Sequence, residues 1–524
     1  MSQPTPPSAS EPSAPIANPQ STSPFNRVPL EVLLRISNFL NTTELGALRL
    51  TCRSIEQSLF NTFMKEYFTK RQFMLTEFSL QTLIDISNSR LSDCLDHVII
   101  GLNSFTRHYF PPGKEACEIR YREAQTHHSA LLSSGLHLAM LTDAFRNLKN
   151  LRTVGIRDYN SKARGLRDGC GAAWASYGAT TLEKETEVNL FRIPIDEMQA
   201  YTNDVFISLF TALGNAGARP KAFELLRKGH GVPSDGAFDL FFTHYLIPKI
   251  VPVLQNLETF LCVVNVANGP FRTTARVSGD TAFSRLRHDY FLRLFLGHMP
   301  NLKHLRLNFS HPGINSDAVD HFINWLGTPV NSLPMPPVSD SQLPPPPPPP
   351  VAFPHLEELN LGFVDVEPRR LVQLVRKLSP TLRRLTLWKL TLWNKAADVQ
   401  QNLDERRDHH KVNLWAKTLK GLCDIPNLNL DHIKIGSPAQ RTFMANTKVW
   451  FHNKGDSLDD KVDQKEYTGI DWKHFVEELA GQVKAELPTK NDEYEDLDEY
   501  ESDTEMDEDL EEDGQDDEDV DSEE

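Results

Sequence analysis

Cysteine is sparse in this chain of 524 residues: Cys52, Cys94, Cys117, Cys170, Cys262 and Cys423 stand far apart, with no CxxC pair and no Cys-His cluster. Disulfide frameworks and zinc sites need paired spacing, so these six read as reduced thiols of the cytosol or nucleus. Long apolar runs are missing as well. The most apolar region, Phe238 to Val264, is interrupted by Asp239, His244, Pro248, Lys249 and Pro252, which excludes a membrane span. The N-terminus has no charged-then-apolar signal pattern. Catalytic signatures are absent too: there is no GxSxG elbow, Walker loop or HExxH, and no cysteine with a plausible base beside it. Gly229-His230-Gly231 has no companion for general-base work. The rings of His127-His128 and of His409-His410 diverge on any helix or strand, so neither pair forms a metal face. A chain without catalysis, cofactor or metal is expected.

Basic residues are absent from the last stretch. Asp492 to Glu524 holds 22 Asp and Glu residues and no Lys or Arg, and setting these 22 aside turns the net charge of −16 into +6. Acidity is therefore a property of a tail, 489–524, expected to be disordered by self-repulsion and able to attract a basic partner such as a histone, or the positive body of its own chain. Ser502, Thr504 and Ser522 lie among its carboxylates in the manner of acid-directed kinase sites. Residues 1–24, rich in Pro, Ser and Thr, are expected to be disordered as well. Basic runs such as Lys389 to Lys395 are too sparse to point to nucleic acid.

What the chain does contain begins with an apolar stretch, Val28 to Ile55. Pro29 suits the first turn of a helix, and Leu30, Leu33, Ile36 and Leu40 follow at helical spacing, with Val32 and Phe39 widening the stripe. Asn41, Thr42 and Thr43, with Glu44 behind them, start a second helix on which Leu45, Leu48 and Cys52 share a face. A third helix is expected from Ser54 to Phe68, burying Ile55, Leu59 and Phe63. Three short helices are too small to hide this much apolar surface, so a partner is expected to cover the surplus.

Val28-Pro29-Leu30-Glu31-Val32-Leu33, Ile36, Leu40, Leu45, Leu48-Arg49 and Thr51-Cys52-Arg53 resemble an F-box, the adaptor-binding module of cullin-type ubiquitin ligases. Val28 stands where leucine usually precedes the proline, and Ile55 near where many members have tryptophan. The resemblance, spanning 25–70, implies docking on a Skp-family adaptor through Pro29, Leu30, Leu33, Ile36, Leu40, Leu45 and Leu48, and through it on a cullin scaffold.

An LxxLxL spacing then recurs across 90–488: Leu95-Val98-Ile100, Leu151-Val154-Ile156, Leu257-Phe260-Cys262, Leu302-Leu305-Leu307, Leu356-Leu359-Leu361, Leu382-Leu385-Leu387 and Leu430-Ile433-Ile435, with a weaker copy at Phe223-Leu225. Asn147-Leu148, Asn256-Leu257 and Asn301-Leu302 introduce copies alike. Helical stretches lie between, such as Ala318 to Leu326 and Arg370 to Leu378. Strand, turn and helix per unit imply an α/β solenoid, because no unit buries its apolar side alone. It resembles the irregular leucine-rich region that follows the F-box in many fungal proteins. Two insertions are expected, a loop over 157–187 and an extended polyproline segment over 329–354 containing Pro344 to Pro350. Trp388 and Trp393 suit core packing at least as well as a binding surface. Trp472, Phe475, Val476, Leu479 and Val483 line a helix expected from Asp471 to Glu486 as a terminal cap. The resemblance implies a non-catalytic substrate receptor, holding an unidentified protein target near the ligase in the cytoplasm or nucleus. A leucine-rich, acidic-tailed scaffold or histone-binding chaperone is the rival expectation.

Overall fold

A computed structural model describes residues 28–160, 175–191, 195–228, 233, 235–240, 244–266, 289–309, 316–330, 348–394, 413–442, 445–452 and 461–486. Expectations for 1–24, for Gly229-His230-Gly231, His409-His410 and Pro344 to Pro347, and for the acidic tail from Asp492 onward lie outside the described residues. Among those described there are 15 α-helices and 16 strands, a mixed α/β architecture. The chain divides into two compact units, Met1–Glu66 with Lys162–Ala173, and Tyr67–Ser161 with Trp174–Glu524.

The described part of the first unit is helical: α1 (Leu30–Ser37), α2 (Thr42–Leu50), α3 (Arg53–Ser58) and all but the last two residues of α4 (Phe60–Phe68). Pro29 is the N-cap of α1, and α1 ends before Leu40. Asn41 and Glu44 complete a capping box at α2, each side chain bonded to the other's backbone N–H, which satisfies two donors that a helix start leaves without partners. The third helix is two helices, because the chain bends at Leu59, whose side chain is only 1% exposed. Arg49 ties α2 to both α3 and α4: its guanidinium pairs with Glu56 at 3.1 Å and lies 3.3 Å from the centre of the Phe63 ring.

The second unit is built on a ten-stranded sheet. In spatial order its strands are β1 (Lys70–Met74), β2 (His97–Gly101), β3 (Thr153–Arg157), β4 (Ala222–Leu226), β5 (Thr259–Val264), β6 (His304–Phe309), β7 (Glu358–Gly362), β9 (Arg384–Trp388), β11 (His432–Gly436) and β15 (Gln464–Thr468). All neighbours are parallel except β11 and β15. The LxxLxL spacing becomes two straight rows. Val98, Val154, Phe223, Phe260, Leu305, Leu359, Leu385 and Ile433 are mutual register partners, and so are Ile100, Ile156, Leu225, Cys262, Leu307, Leu361, Leu387 and Ile435. All sixteen are at most 2% exposed. Phe223-Leu225 is thus a full member, with buried Pro220 where the other copies carry leucine.

Helices cover this face. Phe145 of α7 (Leu136–Asn147), Phe206 of α9 (Ile195–Ala216), Leu254 of α10 (Ile247–Asn256), Phe295 of α11 (Tyr290–Gly297), Phe322 of α12 (Ser316–Gly327), Leu374 of α13 (Pro368–Leu378) and Leu419 of α14 (Leu414–Cys423) share one core with the two rows. Each strand also begins alike. Asp96 and His97 both donate their N–H groups to the Thr69 carbonyl, and the pattern repeats with Glu258 and Thr259 on Lys221, Lys303 and His304 on Glu258, and Arg383 and Arg384 on Glu357. Asparagine side chains reinforce the joints: Asn150 donates to the Asp93 carbonyl, Asn256 to Arg219 and Pro220, and Asn301 to Gln255. The equivalent of Asn256 and Asn301 is therefore Asn150, directly before Leu151, whereas Asn147 bonds Asn88.

After β7, β9 and β11 the chain turns a corner through one left-handed residue each, Phe363, Lys389 and Ser437, with φ of 57°, 48° and 43°. It enters β8 (Asp365–Val366), β10 (Thr391–Trp393) and β12 (Ala439–Thr442), which start a second sheet completed by β13 (Ala445–His452), β14 (Lys461–Val462) and β16 (Val483–Glu486). Basic Lys389 thus sits at a corner.

Two expected boundaries move. Of the expected loop over 157–187, Arg157 belongs to β3 and α8 occupies Ala179–Thr186. The last helix, α15 (Trp472–Gln482), stops before Glu486 because Val483 joins a strand opposite Phe451. Val351 and Phe353, which come after the prolines, are buried, and Trp325 donates its indole N–H to the Pro348 carbonyl at 3.0 Å.

Candidate functional site

Two surfaces stand out. On the helical unit, apolar side chains divide into an inner and an outer set. Leu33 and Leu45 are 4% and 2% exposed, and Ile36, Leu40 and Leu48 are half-buried. Pro29 is exposed, Leu30 and Val32 are each 46% exposed, Phe39 82% and Leu50 88%. Of the seven expected contact residues, Leu33 and Leu45 therefore hold the unit itself, while Pro29 and Leu30 are presented to solvent. Phe39, Val32 and Leu50 belong with that outer set. The helical period signalled a wide stripe but not which edge points inward.

The second surface is the sheet face opposite the helices, lined by the residues that alternate with the buried rows. It carries charge that is neutralised across strands. His97 on β2 reaches over β3 to Glu224 on β4 at 3.4 Å, passing Gly155, where the absent side chain leaves the path open. Arg157 approaches the same carboxylate at 3.5 Å. Burial alone raises the Glu224 carboxyl, but His97, Arg157 and Lys70 outweigh it and hold the group well below the usual range. Farther along, Glu358 receives His304 at 3.2 Å and Arg384 at 2.8 Å, and Asn360 bonds both His304 and Glu358. Burial lowers both imidazoles below their ordinary value, against the pull of Glu224 and Glu358 respectively. Trp388 lies flat over Gly436, where a Cβ would come within 2.1 Å of its ring, so it packs within the face. Trp393 is half-buried beneath Arg441, 5.6 Å from its ring.

No family model matches this chain, and no curated protein matches it.

Other sequence candidates resolve locally. His128 is buried, its Nδ1 2.8 Å from the Leu75 carbonyl, while His127 is exposed on the same helix, α6 (Glu115–Ser133). Among the described residues, no group of three or more His, Cys, Asp or Glu side chains is arranged to hold a metal ion, and no helix is long and apolar enough to cross a membrane. Cys52, Cys94, Cys117, Cys262 and Cys423 form no disulfide.

Proposed function

We propose that the chain is a recruiting subunit in which the helical unit is an F-box docking on a Skp-family adaptor, and the sheet unit is an irregular leucine-rich-repeat region that holds a protein target for a cullin-type ubiquitin ligase. The observation that carries the reading is the outer apolar set Leu30, Val32, Phe39 and Leu50, left in solvent by a unit that keeps Leu33 and Leu45 for itself. Full burial of such side chains yields about 1.5 to 3 kcal/mol each before the costs of association. The in-register rows, the repeated strand starts and the repeated corners support the leucine-rich reading. In this reading the chain supplies position and no chemistry: tethering raises the local concentration of target lysines near the loaded conjugating enzyme, in the cytoplasm or nucleus.

The test is capture of the full chain by purified Skp-family adaptor. Leu30→Asp with Phe39→Asp changes two exposed side chains, so the melting temperature stays where it was while capture falls at least about tenfold. Undiminished capture by a folded variant would sink the docking proposal.

A further inference from the structure

The outer face of the second sheet was assigned no role by the motifs, and it is chemically distinct. Thr447, Val449 and Phe451 of β13 are buried, so the alternate residues Lys448, Trp450 and His452 lie on the other side. The register places Lys484 of β16 opposite Trp450, Lys461 of β14 opposite His452, and Arg441 of β12 beside Trp393 of β10. Four cations thus share one face with two tryptophans, and Lys461 and Arg441 lie 5.9 Å and 5.6 Å from the Trp450 and Trp393 rings. Among the described residues, the acidic positions on this face are Asp365, 3.3 Å from Arg441, and Glu486, in register with Lys448. Lys461 and Lys484 are exposed.

We propose that this face is the docking site of the chain's own acidic tail, residues 492–524. Three observations converge on that occupant. The described chain ends at Glu486, on the strand that carries Lys484, and the first tail carboxylate, Asp492, comes six positions later. Five intervening residues reach about 17 Å when extended, close to the roughly 19 Å width of five neighbouring strands. Finally, the tail's 22 carboxylates and lack of basic residues complement a face of four cations. Tethering places those carboxylates at an effective concentration of order millimolar. A basic partner of the tail must then compete with Arg441, Lys448, Lys461 and Lys484. Basic residues with aromatic platforms also suit a single-stranded nucleic acid, which is the competing outcome of the test. The proposal is independent of the adaptor reading, since none of its residues belongs to the helical unit.

The test uses the full-length chain in two forms, native and with every Asp and Glu of 492–524 replaced by Asn and Gln. A labelled peptide of residues 492–524 is titrated into each, with anisotropy as the readout, at about 50 mM salt where screening is weak. The neutral-tail chain should bind the peptide at least about tenfold tighter than the native chain, whose own tail fills the face. Lys461→Glu with Lys484→Glu, in the neutral-tail background, should abolish that gain, and about 0.5 M salt should release the peptide. Circular dichroism confirms that the variant is folded, as expected for two exposed positions. Equal affinity for both tail forms, or peptide binding unaffected by the lysine reversals, overturns the proposal. Tighter binding of a twelve-nucleotide single strand than of the peptide through the same lysines overturns it in favour of nucleic acid.

Discussion

The helical unit and the sheet unit use similar apolar residues to opposite ends. In the sheet unit, sixteen register-matched positions are at most 2% exposed, and the helices complete the enclosure. In the helical unit, Leu33, Leu45, Ile55, Leu59 and Met64 are buried while Leu30, Val32, Phe39 and Leu50 stay in solvent. A repeated strand-and-helix layer buries each face against its neighbour, so apolar content becomes stability. Short helices have too little interior for that, and their surplus is available for association. An apolar residue of one unit is therefore expected to report on folding and one of the other on binding.

The largest expected effect breaks the comparison at its strongest point. Leu361 lies mid-row on β7, fully buried between Leu307 and Leu387. Leu361→Asp strands a carboxylate in that core and should cost more than about 4 kcal/mol, enough to prevent cooperative unfolding of the sheet unit. Leu30→Asp, in solvent on α1, should move stability by less than about 0.5 kcal/mol. Chemical denaturation followed by circular dichroism measures both. Similar losses at the two positions would mean that Leu30 is part of the fold and not of a free surface.

The same contrast explains what the sequence made legible. The rows were readable because the strand period of two and the fixed anchor leucine act together, and the copy that read as weak is the one where Pro220 replaces the leucine. The capping box was readable from Asn41 and Glu44, since cap chemistry is local. By contrast, nothing near Leu59 marks the break in the third helix, since there is no glycine or proline there. The corners were hidden because left-handed backbone, the usual province of glycine, falls on Phe363, Lys389 and Ser437, three unrelated residue types. Hydrogen bonds from their N–H groups to the carbonyls of Trp388, Gly436 and Asp463 hold them there. The second sheet escaped notice because all its strands but β13 have four residues or fewer, too short to display a period of two. Helical spacing likewise displayed the stripe of the first unit, but the inward edge depends on packing that no local pattern records.

A smaller effect sharpens the account of the sheet unit. Asn256 and Asn301 sit at equivalent joints and donate to carbonyls of the preceding unit. Asn256→Ala or Asn301→Ala should each cost about 1 kcal/mol, the usual net worth of one such hydrogen bond. Because Asn301 bonds the carbonyl of Gln255, next to Asn256 in the chain, the joints are neighbours and the double variant should depart from the sum of the single losses. Denaturant midpoints check this, and a loss confined to one site would show that the joints are not equivalent.

The smallest expected effect concerns pH, where the two units differ by composition: residues 28–66 contain no histidine. In the sheet unit, burial pushes His97, His128 and His304 below the ordinary imidazole value. A lowered histidine binds fewer protons folded than unfolded, so below about pH 6.5, the unfolded value, acid withdraws stability from the sheet unit. Asp235 acts in the opposite sense. Its carboxylate accepts from the N–H groups of Phe291 and Leu292, yet burial pushes it up to about 6. Its contribution is fully present below the ordinary aspartate value and is lost as pH rises through about 6. Melting temperatures at pH 7.5 and 5.5 separate the two. His128→Gln should shrink the loss on acidification, since the imidazole that resists protonation beside the Leu75 carbonyl is gone. Asp235→Asn should enlarge it, because the opposing gain disappears. Unchanged pH dependence in both variants would remove these two side chains as causes of acid instability, leaving His97 and His304, both held below the ordinary imidazole value by burial, to explain whatever slope remains.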